Sequence, residues 1–124
     1  MKRIILLCLA LMLTACAHLT RPTIDQQFES YRTEVRAERD SGKITGVEEQ
    51  EKLRDRFWKM YGKDANSAGH FAFSISLMRS VQAGHFPKDE ADALIAAGEA
   101  DIFAQKMASR QRQEGDCTYD CPWN

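Results

Sequence analysis

GKITGVE at residues 42–48 and GHFPKDE at residues 84–90 lie 42 positions apart, and their reading decides the fold. Each runs from a glycine through an aliphatic or aromatic residue to a residue suited to opening a helix, with a glutamate three places further on. Glycine tolerates the left-handed backbone that commonly ends a helix, and Thr45 or Pro87 suits the start of the next one. Ile44 or Phe86 is placed to plug the gap between two helices. Each stretch therefore reads as the joint of a helical hairpin, and two joints make four helices.

Working outward, Ile24, Phe28, Tyr31 and Val35 fall at i, i+4, i+7 and i+11, one apolar face of a helix. Thr23 with Gln26 reads as its capping box, and Ser41-Gly42 as its stop. A second helix opens at Thr45 with Glu48 reaching back. It turns Val47, Leu53, Phe57, Met60 and Tyr61 inward and stops at Gly62. Trp58 cannot share the inward angle of Phe57 and belongs at an edge or an interface. The third segment, about Asn66 to Ala83, is ambiguous, because Phe71, Phe73, Ile75 and Leu77 alternate as they would in a strand. Its length and the lack of a partner strand favour a helix that is apolar on most sides and well buried.

A fourth helix spans about Lys88 to Gln113. Asp89 and Glu90 near its start and Lys106, Arg110 and Arg112 near its end suit the macrodipole. Gly115 is expected to end it, and Gly98 within it to permit close helix packing. At the 42-residue offset Tyr31 meets Phe73, Val35 meets Leu77, Gly42 meets Gly84, Ile44 meets Phe86, Glu48 meets Glu90 and Leu53 meets Ile95. Identity is sparse, so an internal repeat and a shared hairpin grammar both fit. The expected fold is all-α: two hairpins over residues 23–113, as a four-helix bundle or a stacked pair.

The N-terminus carries a different signal. Met1-Lys2-Arg3 precedes ten apolar residues, Ile4 to Leu13. That is too short for a membrane span, which needs about 20 residues. A charged start, a short apolar run and small residues before a cut form the secretory pattern. Leu13-Thr14-Ala15-Cys16 resembles the lipobox of bacterial lipoproteins. The resemblance implies a signal peptide over residues 1–15, cleavage between Ala15 and Cys16, and lipid on Cys16 as the one covalent group. Ala17 stands where an aspartate would mark inner-membrane retention, so the family pattern implies the outer membrane of a Gram-negative envelope. An ordinary secretory peptide with a chance cysteine, or a buried helix, are the alternatives. Residues 16–22 then form an acylated tether, of which Ala17 to Pro22, at about 3.3–3.6 Å per residue, reach at most ~22 Å. The G-K-I-T-x-x-E turn also resembles the short helical SHOCT motif, which hints at an oligomerising or partner-binding hairpin. That motif normally closes a chain, whereas here it stands within the body.

Cleavage leaves 109 residues, enough for one domain. It removes Lys2 and Arg3, leaving 15 basic against 18 acidic residues, a mature formal charge of −3. No basic stripe marks a nucleic-acid partner, and nothing favours polybasic docking on anionic lipid. In the tail, residues 114–124, Cys117 and Cys121 are expected to pair as a disulfide, contributing ~2 kcal/mol by loop entropy. Free thiols remain an alternative, as does half of a metal site completed by His18, His70, His85 or carboxylates. CTYDC has no second cysteine pair and is not a C-x-x-C redox motif. Tyr119 and Trp123 around Pro122 either cover the open end of the bundle or anchor a partner.

The search for catalytic chemistry is short. There is no G-x-S-x-G elbow and no phosphate loop. Glu29-Ser30 resembles the catalytic dipeptide of lytic transglycosylases, but the rest of that signature is absent, and Glu29 reads as a solvated helix-face residue. His70 could be buried or exposed, and His85 reads as a partly exposed turn residue. The expectation is a protein with no catalytic or metal site. It is tethered to the outer membrane by lipid, faces the periplasm, and acts as a helical interaction or assembly module on an envelope protein partner. A peptidoglycan-acting enzyme or accessory, or a metal-binding envelope protein, is the alternative.

Overall fold

The computed structural model describes residues 21–116. Four helices follow one another: α1 Ile24–Asp40, α2 Gly46–Tyr61, α3 Ala65–Gln82 and α4 Lys88–Asp116. The ambiguous third segment is a helix, and no strand occurs among the described residues.

Local chemistry sets most of the boundaries. Thr23 and Thr45 each accept from the backbone N–H three residues on, while Gln26 and Glu48 reach back to the cap, completing both expected capping boxes. The α3 cap is Asp64, whose carboxylate accepts from Ser67 N–H at 2.8 Å. This cap lies just before the expected start. Gly62 ends α2 at φ +80°. Gly115 does not end α4, which continues to Asp116. A glycine inside a helix costs about 1 kcal/mol against alanine but does not forbid the conformation.

The two joints are the same turn. Ser41 and Ala83 both stay in the helical region, and Gly42 and Gly84 both take φ +74°. Lys43 N–H reaches Glu38 O and His85 N–H reaches Ser80 O, each at 2.9 Å. Shifted by 42, α1 ends where α3 ends and α2 begins where α4 begins. The offset seen in the sequence is therefore also an offset in the structure.

Consecutive helices run antiparallel, and the ring closes. Phe28, Arg32 and Arg39 of α1 meet Phe103, Glu99 and Asp92 of α4, descending as α1 ascends. The architecture is an up-down-up-down four-helix bundle. An aromatic cluster joins all four helices: Phe57 packs on Phe28, Phe71 and Phe103 at centroid distances of 5.5 to 5.7 Å. Toward the joints the core passes to Leu77, Met78, Ala91 and Ile95. Full burial of a side chain such as Phe57 is worth about 1.5–3 kcal/mol.

Two apolar expectations fail. Ile24 is 44% exposed at the first position of α1. Phe73 is 50% exposed. The buried stripe of α3 runs through Phe71, Ser74, Ile75 and Met78, and a residue two places from Phe71 faces away. The third helix is thus buried on one side and not on most. Val47, Met60 and Tyr61 are half-buried around the fully buried Leu53 and Phe57.

Candidate functional site: a charged seam between the first and last helices

Arg32, Arg36 and Arg39 stand at i, i+4 and i+7 of α1 and so share one stripe. Asp92 and Glu99 are seven apart on α4, the same face two turns on. The antiparallel register brings the two stripes together. Arg32 Nη1 and Arg36 Nη2 both donate to Glu99 Oε2, at 2.9 and 3.0 Å. Arg39 Nη1 donates to Asp92 Oδ1 at 3.0 Å and to Glu49 Oε2 of α2 at 2.8 Å. At the rim, Glu29 pairs with Arg32, Asp40 with Arg39 and Lys88 with Asp92.

Glu49 forms the floor of the seam and has no exposed surface. Burial pushes its carboxyl above the usual glutamate range. Arg39 and Arg36 pull it back, while Asp92 and Glu99 act in the same direction as burial. Arg39 moves upward too: burial alone would lower it, but Glu49, Asp92 and Asp40 outweigh that. The desolvation cost of the pair therefore falls on the carboxylate, which is wholly enclosed and has like charges beside it.

Next to it Gln50 is 1% exposed. Neither Glu49 Oε1, 3.5 Å from Arg36 Nε, nor Gln50 Oε1 has a hydrogen-bond partner. Both residues line a cleft of about 260 Å³, walled by Arg36, Arg39, Asp92, Ile95 and Ala96. The cleft offers acceptors on its floor, guanidinium groups on one side and an apolar patch on the other. It holds no serine, cysteine or histidine that could serve as a nucleophile or base.

His70 packs behind the seam, against α4. A methyl group added to Gly98 would sit 2.5 Å from His70 Nδ1, so this glycine lets the imidazole lie on the helix backbone, as expected for close packing. Burial lowers the His70 pKa against a smaller opposing pull from Glu99, leaving the ring neutral at pH 7. His85 is exposed in the second joint. Glu29 is half-exposed and paired with Arg32, a solvated face residue as expected. Trp58 lies at the bundle edge, donating to Ser67 Oγ at 3.2 Å with Arg54 and Lys63 over its ring. No cluster of three or more metal-ligand side chains occurs among the described residues. Ala15, Cys16, Cys117, Tyr119, Cys121 and Trp123, the residues assigned to cleavage, lipidation, the disulfide and partner anchoring, lie outside the described residues.

The second hairpin presents a different surface. Lys, Arg, Asp and Glu occupy eight of 17 positions in α1 and eight of 16 in α2, but only Arg79 among the 18 of α3. Between residues 93 and 105 of α4 the charges are Glu99, turned into the seam, and Asp101. Phe73 and Leu94, about half exposed, stand on this face among exposed small residues that include Gly69, Ala72, Ala93 and Ala97.

Together these features define a closed four-helix bundle with a charged first hairpin, a charge-poor second hairpin and a polar cleft along the α1–α4 seam. The chain matches no protein-family model, no curated protein and no solved structure.

Proposed function

We propose that the protein is a lipid-anchored helical interaction module, held through Cys16 at the periplasmic face of the outer membrane and docking an envelope protein on the outer face of α3 and α4. The uneven surface carries this reading. A soluble bundle gains nothing from two half-exposed large apolar side chains on a face almost free of charge, whereas a protein partner covers them. The sequence of residues 1–16, with its charged start, short apolar run and lipobox-like Leu13-Thr14-Ala15-Cys16, supports the anchor. No helix among the described residues is long and apolar enough to cross a membrane, and in this reading two or three acyl chains on Cys16 hold the body, since a single chain binds only marginally. The tail adds a Cys117–Cys121 disulfide that presents Tyr119 and Trp123 to the same partner.

In-cell photocrosslinking from position 73, followed by purification from membranes, tests the reading. The expected result is one stoichiometric protein, lost in Leu94→Lys and weakened in Trp123→Ala. Cys16→Ser should release folded protein from the membrane fraction. Absence of any crosslinked protein would overturn the docking assignment, and a Cys16→Ser protein that stays membrane-bound would overturn the anchor.

A further inference from the structure

We infer that the α1–α4 seam cleft is a binding site for a small zwitterionic amino acid. The starting observation is a pair of acceptors without hydrogen bonds. Gln50 Oε1 has no hydrogen-bond partner and Glu49 Oε1 has only the long 3.5 Å ion pair with Arg36 Nε, and the two belong to neighbouring residues on the cleft floor. Leaving a buried acceptor unsatisfied costs about 1–3 kcal/mol, and more when it is charged. A ligand that brings several N–H donors to this point recovers that cost. A primary ammonium carries three, and a third acceptor, the Asp92 carboxylate, stands in the same wall.

The rest of the lining selects what is attached to the ammonium. Arg36 and Arg39 balance Glu49 and Asp92, so the walls carry no net charge. A bare amine or a divalent cation would meet two guanidinium groups at close range, and a bare anion would meet two carboxylates. A zwitterion leaves the balance intact and places each of its charges against the opposite one. Arg36 is the receptor for its carboxylate. Its side chain is 36% exposed against 15% for Arg39. Nη2 of Arg36 is on Glu99 and its Nε lies 3.5 Å from Glu49, which leaves Nη1 for the ligand, whereas every guanidinium nitrogen of Arg39 is taken by Glu49, Asp92 or Asp40. Planar guanidinium matches carboxylate geometry. Ile95 and Ala96 form the apolar wall on which a short side chain rests. A cleft of about 260 Å³ has the liquid volume of roughly nine waters at ~30 Å³ each. That accommodates one small amino acid and not a peptide of several residues.

This site opens between α1 and α4, whereas the docking assignment rests on Phe73 and Leu94, so either can fail without the other. The test is calorimetric titration of the full chain with alanine, with methylammonium and acetate as half-ligand controls. Alanine should bind saturably, and each half-ligand at least about tenfold more weakly. Glu49→Gln should weaken alanine by at least about tenfold. Ala96→Phe fills the cleft from an exposed helix position. It should abolish binding while leaving the unfolding curve in place, which keeps the test decisive even if the Glu49 variant misfolds. No saturable binding of alanine, acetate binding as well as alanine, or undiminished binding in a folded Ala96→Phe would each overturn the assignment.

Discussion

Glu49→Gln separates two views of the seam. Counting ion pairs makes Glu49 a keystone, touching Arg39 at 2.8 Å and Arg36 at 3.5 Å with no exposed surface. Breaking such a buried pair by removing one partner costs about 3–5 kcal/mol when the other charge is stranded. Here it is not stranded. Without the Glu49 charge, Arg39 keeps Asp92 at 3.0 Å and Asp40 at 3.2 Å, and Arg36 keeps Glu99 at 3.0 Å. The amide oxygen of glutamine can still accept from Arg39. What is lost is part of a charge-assisted hydrogen bond worth about 1.5–3 kcal/mol. What is avoided is the desolvation of a carboxylate, several kcal/mol even after relaxation. The raised Glu49 pKa gives the sign, since the enclosed site disfavours the charged form relative to water. Urea unfolding followed by circular dichroism at neutral pH should therefore place Glu49→Gln between no change and about 1 kcal/mol more stable. The pH dependence follows from linkage. The folded state binds the Glu49 proton more readily than the unfolded state, so the wild type gains on Glu49→Gln as pH falls from the raised folded value toward the ordinary one. A loss of about 3 kcal/mol or more, or a gap that widens on acidification, would refute the reasoning.

Gly98→Ala should destabilise the wild type, because overpacking against His70 costs about 1–3 kcal/mol and exceeds the ~1 kcal/mol gained in helix propensity. In a His70→Ala background the same substitution should stabilise, and equal effects in both backgrounds would disprove the contact. Thr45→Ala should cost about 1 kcal/mol through loss of the α2 cap, and Thr45→Ser should recover most of it. Asp64 is held below the usual aspartate range by Lys106, with the Ser67 backbone N–H assisting. Its contribution is complete above the ordinary value and lost as pH falls through the folded one, so the deficit of Asp64→Asn in urea should shrink on acidification. Intact mass of the unreduced mature protein should be lower by two hydrogens than that of the reduced form, the mark of a Cys117–Cys121 bridge.

The four helices could be read from the chain because helix signals act over three or four residues. Capping boxes at Thr23 and Thr45, stops at Gly42, Gly62 and Gly84, and the i, i+3, i+7 spacing of Phe28, Tyr31 and Val35 are local patterns. The structure adds their partners but does not change them. The 42-residue offset was visible for the same reason, since each joint contains its own turn chemistry. Even there the buried positions correspond: Glu49 and Ala91 are both fully enclosed. The α2 stripe through Leu53 and Phe57 extends back to Glu49 and Gln50 at helical spacing, a signal for the buried polar floor that charge obscured, because charged residues ordinarily face water.

Other features were not written locally. That Phe73 faces out depends on which neighbour covers which side of α3. Ile24 fits the apolar period of α1, yet it stays 44% exposed at the first position of the helix. The seam joins Arg32 to Glu99 across 67 positions and Arg39 to Asp92 across 53. Spacing in α1 and α4 places each set on one stripe but says nothing of whether the stripes meet. Closure of the bundle and its antiparallel register bring them together, because ion pairs require a few ångströms between atoms while periodicity conveys only direction around an axis. Local backbone preferences thus specify the elements and their faces, and packing across the whole bundle determines the charged seam, the cleft and the charge-poor face.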